Sequence, residues 1–422
     1  MKIFKLMMLA LVAMIGFNSC SEDCDHNFIE HDFTQDIVGT WTTLNGELAE
    51  AMVINPDGSF EVTGVTNGGN GSLYEEKGTI KVVNNKVTLA FDGDKETFEG
   101  RLEFVAGKSL SLVMFDDNDV RLTYDYCEND LSDEIIGMWV CNGGVLGQKG
   151  DINIQTFNTD GKAIFTGGLV TNEKEPFLNV ESTYKVIGDM VFQKMAGDLI
   201  PDKYQIFQLT YAPDGTSAGD IMVQKMYLTT EKGSRVETVS SWLRVKQHLE
   251  LPGNKYDYNN LYVSNVKGGD RDIEFMGQVF NFSEMDGVKL DKMLKSLLFS
   301  VEFPDANTIK YICHYNNQAA PAVVEAPITV DGNKITVKVS EVYPEFKDVE
   351  LYTFQDQDNT QMHIYMPTHS FEAFFGNLLV MALSQKGELD KTDAAAVKAV
   401  HDRVDATVES INLSLIMKQA KK

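Results

Sequence analysis

Short apolar segments that alternate with polar residues, separated by turn signals, recur along most of the chain. Residues 79–89 read as two strands that flank an Asn84-Asn85 turn, and residues 53–60 and 157–165 each contain an Asp-Gly pair between apolar residues. Asp-Gly in such a setting is a strong hairpin signal, because glycine supplies the positive φ that tight hairpin turns need. Many short strands with regular turn signals predict a mainly β protein built from antiparallel sandwiches or barrels.

Two segments within this pattern match each other. Residues 36–41 read Asp-Ile-Val-Gly-Thr-Trp and residues 134–139 read Glu-Ile-Ile-Gly-Met-Trp, and each is followed by an Asp-Gly hairpin and a strand-rich stretch. This Gly-x-Trp opening resembles that of lipocalin-like (calycin-like) domains of the kind common in Bacteroidales lipoproteins. The resemblance implies tandem antiparallel β-barrels over residues 36–130 and 131–250. It also implies a structural role, as plugs of the closed barrel end, for the four motif residues, which are Gly39, Trp41, Gly137 and Trp139.

The last part of the chain is again rich in strand-like segments but lacks the Gly-x-Trp motif. Residues 249–258 contain a Pro-Gly pair and read as a linker. Residues 287–298 have helical spacing, and an Asp-Gly-Asn turn at 331–333 separates two strand-like segments. We therefore expect residues 255–422 to form a third, diverged calycin-like β domain with C-terminal helices.

Two helices are predicted near the C-terminus. Residues 371–383 are strongly apolar but too few to span a bilayer, so we expect a buried helix. Residues 390–420 are predicted as one long amphipathic helix, because apolar residues recur at three- and four-residue steps. This C-terminal helix is expected to pack on the third domain, and the alternative is that it contacts a protein partner. Its apolar stripe consists of Val397, Val400, Val404, Val408, Ile411 and Leu415.

The N-terminus has the form of a sorting signal. Two lysines precede an apolar run at residues 6–17 that is too short to span a bilayer, which is typical of a secretory signal peptide over residues 1–19. A serine then leads directly into Cys20, and this junction resembles a lipobox, although Phe17 stands where the usual pattern has leucine. The resemblance implies that Cys20 is lipidated and becomes the first residue of the mature protein.

An acidic cluster follows the cysteine and resembles the surface-export signal of Bacteroidales lipoproteins. Residues 20–35 would then be a lipidated acidic tether. This implies a protein anchored in the outer membrane by lipid and exposed on the cell surface. A periplasm-facing orientation and plain secretion are the alternatives. The residues of the export signal are Ser21, Glu22, Asp23 and Asp25.

The remaining cysteines and histidines show no catalytic or metal-binding spacing. Cys127 and Cys141 flank the predicted junction of the first two domains and could form a disulfide there in an oxidising compartment. No nucleophile elbow, phosphate-binding loop or zinc-protease motif is present in the sequence. We therefore predict no catalytic residue, no metal site and no cofactor, and we expect the protein not to be an enzyme.

The charge balance narrows the function further. The chain has 62 acidic and 37 basic residues and a net charge of -25, which repels nucleic acid. The leading hypothesis is a non-enzymatic surface lipoprotein that binds a small hydrophobic or amphipathic ligand, or a glycan, through its barrels. The alternative is a structural or interaction protein whose barrels are filled by their own side chains and which contacts other proteins. A glycan hydrolase is a third, weaker hypothesis.

Overall fold

The structure is a computed structural model that forms three closed antiparallel β-barrels of eight strands each. This confirms the predicted fold class, which is mainly β with tandem barrels and a C-terminal helical segment. The structure describes residues 32–94, 97–115, 120–142, 152–167, 178–195, 204–213, 220–229, 233–268, 272–275, 278–281, 287–314 and 320–420.

The first barrel is an up-and-down meander in which each strand pairs with its neighbour in sequence and the last strand returns to the first. Alternation turns Met52 and Ile54 inward, and both belong to an apolar core that fills this barrel. The Asn84-Asn85 turn has positive φ at both residues, as a two-residue hairpin requires. The strands are β1 (Gly39–Leu44), β2 (Ala49–Ile54), β3 (Ser59–Val65), β5 (Leu73–Val83), β6 (Lys86–Phe91), β7 (Thr97–Val105), β8 (Ser109–Met114) and β9 (Arg121–Cys127), with a two-residue strand β4 (Asn70–Gly71) that lies outside this barrel.

The second barrel has the same meander. Its first strand pairs with its last through Trp139 and Arg244, and β14 pairs with β15, which completes the ring. The Asp-Gly turn predicted around residue 161 joins β11 to β12, and Gly161 has a positive φ. The strands are β10 (Gly137–Asn142), β11 (Ile152–Phe157), β12 (Lys162–Gly167), β13 (Leu178–Ile187), β14 (Met190–Met195), β15 (Tyr204–Pro213), β16 (Asp220–Thr229) and β17 (Arg235–Val245).

The third barrel is closed as well, and a long first strand pairs with both its second and its last strand. A separate two-stranded hairpin, β19 (Asp272–Phe275) and β20 (Gln278–Asn281), follows the first strand. Helix α1 (Gly287–Ser296) agrees with the helical spacing of the sequence. The barrel strands are β18 (Asn254–Gly268), β21 (Ser300–Asp305), β22 (Thr308–Cys313), β23 (Ala322–Asp331), β24 (Lys334–Val337), β25 (Val349–Gln355), β26 (Gln361–Met366) and β27 (Val408–Gln419), with a short 3-10 helix at Val339–Glu341.

The apolar segment at 371–383 is helical, as predicted, within α2 (Thr368–Gln385). Most of this helix is buried, and the ring of Phe374 lies 5.9 Å from the rings of both Phe299 and Tyr311 in the core of the third barrel. Helix α2 therefore contributes side chains to that core. Across the residues that the structure describes, no helix combines the length and the hydropathy needed to cross a membrane.

The prediction of one long helix over residues 390–420 is wrong. Helix α3 (Ala394–Asp405) ends early, and β27 then closes the third barrel between β18 and β26. The sequence from Ile411 to Leu415 alternates apolar and polar residues, so it suits a strand as well as a helix, and pairing on both sides decides the outcome. Val397 and Val404 on α3 are buried in the core of the third barrel, so this part of the stripe is not exposed to a partner.

The walls of the first and second barrels are joined. Ala49 and Ala51 on β2 pack against Phe192 on β14 and Ile206 on β15 in one buried apolar cluster. Strand β4 pairs with the start of β15 and so extends the sheet of the second barrel. These contacts fix the first barrel against the outer wall of the second.

The second and third barrels are joined in a similar way. Val140 and Val245 on the outer wall of the second barrel pack against Phe354 and Tyr365 of the third. The side chain of Gln355 accepts a hydrogen bond from the backbone N–H of Glu250 at 2.5 Å and donates one to its carbonyl at 2.9 Å. The second barrel is therefore held on two sides by its neighbours.

Candidate ligand-binding interior of the second barrel

The base of each of the first two barrels is built from the Gly-x-Trp motif. The indole N–H of Trp41 donates to the carbonyl of Ile37 and that of Trp139 donates to the carbonyl of Ile135, both at 2.8 Å. Both tryptophans are buried, with exposed fractions of 1% and 0%. The two copies thus repeat one arrangement, in which the tryptophan side chain bonds back to the residue four positions earlier.

The residue opposite each tryptophan on the closing strand differs between the copies. Tyr126 lies opposite Trp41, with ring centroids 5.1 Å apart. Arg244 lies opposite Trp139, and its guanidinium is 4.5 Å from the centre of the indole ring. Arg244 also donates hydrogen bonds to the carbonyls of Ile136, at 3.0 Å, and Glu134. The base of the second barrel is therefore closed by a cation–π contact and backbone hydrogen bonds.

Above this base, the second barrel turns polar side chains inward. Gln155 lies two residues before the core residue Phe157, and Gln224 lies between the core residues Met222 and Met226, so alternation directs both amides into the barrel. The same alternation directs four further buried polar residues into the barrel. Together they form what we term the polar belt, which consists of Asn153, Gln155, Ser182, Gln193, Gln224 and Ser240.

Hydrogen bonds link members of the polar belt across the barrel. The Gln224 amide donates to the Gln155 carbonyl oxygen at 2.7 Å, and these residues lie on strands β16 and β11, which are not neighbours in the sheet. On the other side, the Gln193 amide donates to the Ser182 hydroxyl at 2.7 Å. The Ser240 hydroxyl accepts the indole N–H of Trp242 at 2.9 Å. The belt thus contains one amide pair that crosses the barrel, one pair on neighbouring strands and one hydroxyl bonded to a core tryptophan.

Two oxygens of the polar belt have no hydrogen-bond partner among the residues that the structure describes. They are Oδ1 of Asn153 and Oε1 of Gln224. The two residues have exposed fractions of 2% and 0%. A buried amide oxygen without a partner costs about 1–3 kcal/mol, so both oxygens are acceptors that a bound molecule or water can satisfy.

The interior of the first barrel has a different chemistry. It is largely apolar and contains the buried carboxyl of Glu50, whose two oxygens accept hydrogen bonds from the hydroxyls of Tyr74 and Tyr124. Register places Thr43 and Glu76 on the same inward face. Burial raises the pKa of Glu50, although the two tyrosine hydroxyls oppose the shift. A Cβ at Gly64 would collide with the ring of Tyr74, so this glycine leaves the space that the tyrosine fills. The three polar groups satisfy one another and leave no unmet acceptor on Glu50.

A small cavity lies at the base of the second barrel beside Trp139. Its volume is about 10 Å³, roughly the room of one water molecule, and Glu134 is the charged residue at its edge. Ligand pockets usually measure about 300–1,000 Å³, so this cavity alone is too small for a typical ligand. It is lined by Leu131, Glu134, Ile135, Trp139, Leu209 and Met222.

The structure does not form the predicted disulfide between Cys127 and Cys141, and both are thiols. Cys141 points into the second barrel with Trp139, whereas Cys127 ends β9 and lies against the Gly188 turn of the second barrel. The barrel wall therefore separates the two sulfurs. Burial, together with the charge of Asp189 near Cys127, raises the pKa of that thiol to about 11, and burial alone has the same effect on Cys141.

The other predicted site residues fall into two groups. Gly39, Trp41, Gly137 and Trp139 lie on β1 and β10, as described above. The lipid-attachment residue and the export signal, which are Cys20, Ser21, Glu22, Asp23 and Asp25, lie outside the described residues.

The polar belt was missed by sequence reasoning. Its signal is present in the sequence, because counting in steps of two from Phe157 reaches Gln155 and Asn153. This count can be made only when the bounds of the strand and its inward face are known. The tryptophan motif identifies the inward face of the first strand of the barrel alone. Glutamine in a strand also reads as a solvent-facing residue, so the pattern gave no reason to place it inside.

Comparisons with known proteins add little to this geometry. A scan against protein-family models finds no match, and a search of curated proteins finds none either. Among solved structures, a variant of the vaccine antigen transferrin-binding protein B from Haemophilus parasuis is similar over 89% of this chain and 67% of that chain, with 10% sequence identity and a TM-score of 0.21. A TM-score this low carries no argument about fold or function.

Proposed function

We propose that this chain is a non-enzymatic binding lipoprotein whose second barrel holds a small ligand. The observation that supports binding is the polar belt, in which six buried polar side chains include two oxygens that have no partner within the described part of the chain. A barrel that only had to be filled would gain more from apolar side chains, because each buried polar group costs free energy unless it is hydrogen-bonded. The belt holds no ionisable side chain that could act as an acid or base, which supports binding over catalysis.

We further propose that the protein is anchored in the outer membrane through lipid on Cys20 and is exposed on the cell surface. The lipobox-like junction and the acidic residues after it support this location. One acyl chain alone holds a protein weakly, so stable anchoring would need the several chains that lipoprotein processing supplies. The periplasmic face of the same membrane is the alternative.

A second function, contact with other proteins, is favoured by the two outer barrels. The first barrel has a largely apolar interior in which two tyrosine hydroxyls bond the Glu50 carboxyl, and α2 packs into the core of the third. Both fit filled barrels with a structural or interaction role, and the joined walls would present them as one surface.

Native mass spectrometry tests the binding function. The protein would comprise residues 20–422 with Cys20→Ala, so that it carries no lipid anchor. It would be expressed in a Bacteroidales host and purified without detergent, so that no detergent competes with a bound ligand. We expect a reproducible extra mass that is lost on denaturation and is absent from the double variant Gln155→Met/Gln224→Met. The same substitution at the exposed Gln247 is the matched control and should retain the mass. A clean apo mass in the unmodified protein would favour the interaction role instead.

Lipid labelling tests the anchor. Cys20→Ala in the full chain should abolish incorporation of labelled palmitate, whereas Cys24→Ala, a cysteine four residues later, should leave it unchanged. Equal labelling of both variants would rule out Cys20 as the attachment point.

A further inference from the structure

We infer that the second barrel selects an uncharged ligand that presents hydroxyl groups, such as a neutral saccharide. This inference rests on the proposed binding function and specifies the chemistry of the ligand. It follows from which groups of the polar belt are hydrogen-bonded, which oxygens are not, and from the absence of charged side chains in the belt.

The unmet groups of the polar belt are acceptors. Asn153 Oδ1 and Gln224 Oε1 are both amide oxygens, so the bound molecule must donate hydrogen bonds to them. A hydroxyl group can do so and can also accept a bond in return. An alkyl chain or an aromatic ring in the same place would leave both oxygens unsatisfied, at about 1–3 kcal/mol each.

The inward-facing positions also argue against a charged ligand. Among the inward-facing residues whose side chains the structure describes, Arg244 is the charged one, and Trp139 together with the carbonyls of Ile136 and Glu134 already engages it at the base. Register also places Asp220 on the inward face, but at the first position of β16 and outside the belt. A carboxylate or phosphate in the belt would meet neutral amides and hydroxyls, and an amine would meet no carboxylate. Burial of such an unpaired charge is far more costly than burial of a neutral polar group.

The position of the belt suits a molecule with both polar edges and apolar faces. The Gln155–Gln224 hydrogen bond crosses the interior. On β11, Asn153 is the next inward-facing residue beyond Gln155, on the side opposite Phe157. Met222, Met226 and Trp242 lie in the same interior and offer apolar surface. Sugar rings have C–H faces that pack on such surface while their hydroxyls bond at the edge. An eight-stranded barrel can hold one small ligand of this kind.

Calorimetry and native mass spectrometry on residues 20–422 with Cys20→Ala would test the inference. The probes would be neutral saccharides (glucose, galactose, mannose, N-acetylglucosamine, maltose and lactose), with palmitate and haemin as comparisons that combine a large apolar part with carboxylate groups. We expect at least one saccharide to bind and neither comparison ligand to do so. Loss of the amide pair in Gln155→Met/Gln224→Met should weaken saccharide binding by at least about tenfold, which corresponds to about 1.4 kcal/mol.

Controls separate loss of binding from loss of folding. The double variant replaces both amides with apolar groups of similar length, so circular dichroism and the melting temperature should remain close to those of the unmodified protein. Asn153→Leu provides an independent second variant that removes one unmet oxygen and should also weaken binding. Gln247→Met should leave the affinity unchanged.

The outcomes distinguish this inference from the function on which it rests. If palmitate or haemin binds and the double variant retains or improves that binding, the ligand class is wrong but the binding function stands. If no probe binds and the protein purified for native mass spectrometry is free of added mass, both are overturned and the belt holds water only. A saccharide whose affinity is the same in all variants would place its site outside the second barrel and would overturn the inference.

Discussion

The first and second barrels share a base but not an interior. Both place a buried tryptophan on the first strand and bond its indole N–H to the residue four positions earlier. The first barrel surrounds the hydrogen-bonded carboxyl of Glu50 with a largely apolar core and also directs Glu76 inward. The second carries a neutral polar layer in which Asn153 and Gln224 have oxygens without partners among the described residues. The two copies therefore share the tryptophan and its backbone hydrogen bond, whereas the residue opposite it on the closing strand and the interior differ.

The largest expected effect comes from breaking the shared base. Trp41→Ala and Trp139→Ala should each destabilise their own barrel by about 3–5 kcal/mol, because each removes a fully buried aromatic side chain. Hydrogen exchange resolved by peptide, in the absence and presence of urea, would show which barrel loses protection. Equal loss of protection in both barrels from either variant would mean that the barrels unfold as one unit and that the bases are not independent.

The polar belt should respond differently to one substitution than to two. Gln155→Met alone leaves the Gln224 amide without its acceptor and should cost about 1–3 kcal/mol in the free energy of unfolding. Gln155→Met/Gln224→Met removes both partners and should be nearly neutral. Urea unfolding of the two variants tests this. A double variant that is less stable than the single one would show that the amide pair is needed for folding.

The same reasoning in the first barrel gives a matched measurement. Tyr124→Phe removes one donor to Glu50 and should cost about 1–3 kcal/mol, since a buried oxygen loses its partner. The hydroxyl of Tyr74 remains on the other oxygen. If Tyr124→Phe were neutral, the two hydrogen bonds to Glu50 would not be what sets the first interior apart.

The carboxyl of the first barrel should also make its stability depend on pH. Because burial raises the pKa of Glu50, the folded state holds its proton more tightly than the unfolded chain does. The resulting stability is fully present below the unfolded pKa, near 4.3, and is lost as the pH rises through the raised folded pKa. The difference in unfolding free energy between the unmodified protein and Glu50→Gln should therefore fall as the pH increases over this window.

His363 should make the stability change with pH in the direction opposite to that of Glu50, because burial lowers the pKa of His363 to about 4. That shift removes stability as the pH falls from about 6.5 to 4, which is the opposite direction. It is present in both proteins, so it cancels in the difference between them. If the unfolding free energies of the unmodified protein and Glu50→Gln ran parallel from pH 4 to 8, Glu50 would have the same pKa in the folded and unfolded states.

The smallest expected effect lies between the barrels. Lys185 on β13 forms an exposed ion pair with Glu75 on β5 at 2.9 Å. Lys185→Ala should change the free energy of unfolding by no more than about 1 kcal/mol, because solvent screens such pairs. Urea unfolding would measure it, and a larger loss would mean that charge, rather than the apolar cluster around Phe192, holds the first two barrels together.

The sequence predicts the architecture well because the turns and the tryptophan motifs are local signals. The Asp-Gly and Asn-Asn turns join strands where expected, and the third barrel was expected from its strands alone. The strand β27 was missed because its apolar residues fit both a helical and a strand period, and only pairing with β18 and β26 distinguishes them. The disulfide prediction failed because a position near a domain junction does not indicate on which side of the barrel wall a sulfur lies. Cys141 points into the second barrel, and Cys127 does not.

The belt itself required knowledge that only the folded chain provides. Which face of β11 or β16 points inward depends on register, and a shift of one residue would place Gln155 and Gln224 in solvent. The partner of Trp139 on the closing strand, Arg244, is likewise set by register across more than a hundred residues of chain. Such long-range pairings have no local sequence signal.

The joined walls have a kinetic consequence for any molecule held in the second barrel. Strands β14 and β15 are packed on one side by the first barrel, and β10 and β17 are packed on another by the third. Parting those strands would require the barrel contacts to break first, and such sub-global openings are rare events. A ligand that leaves through the wall would therefore have a long residence time, and its affinity would be expressed mainly in a slow dissociation rate.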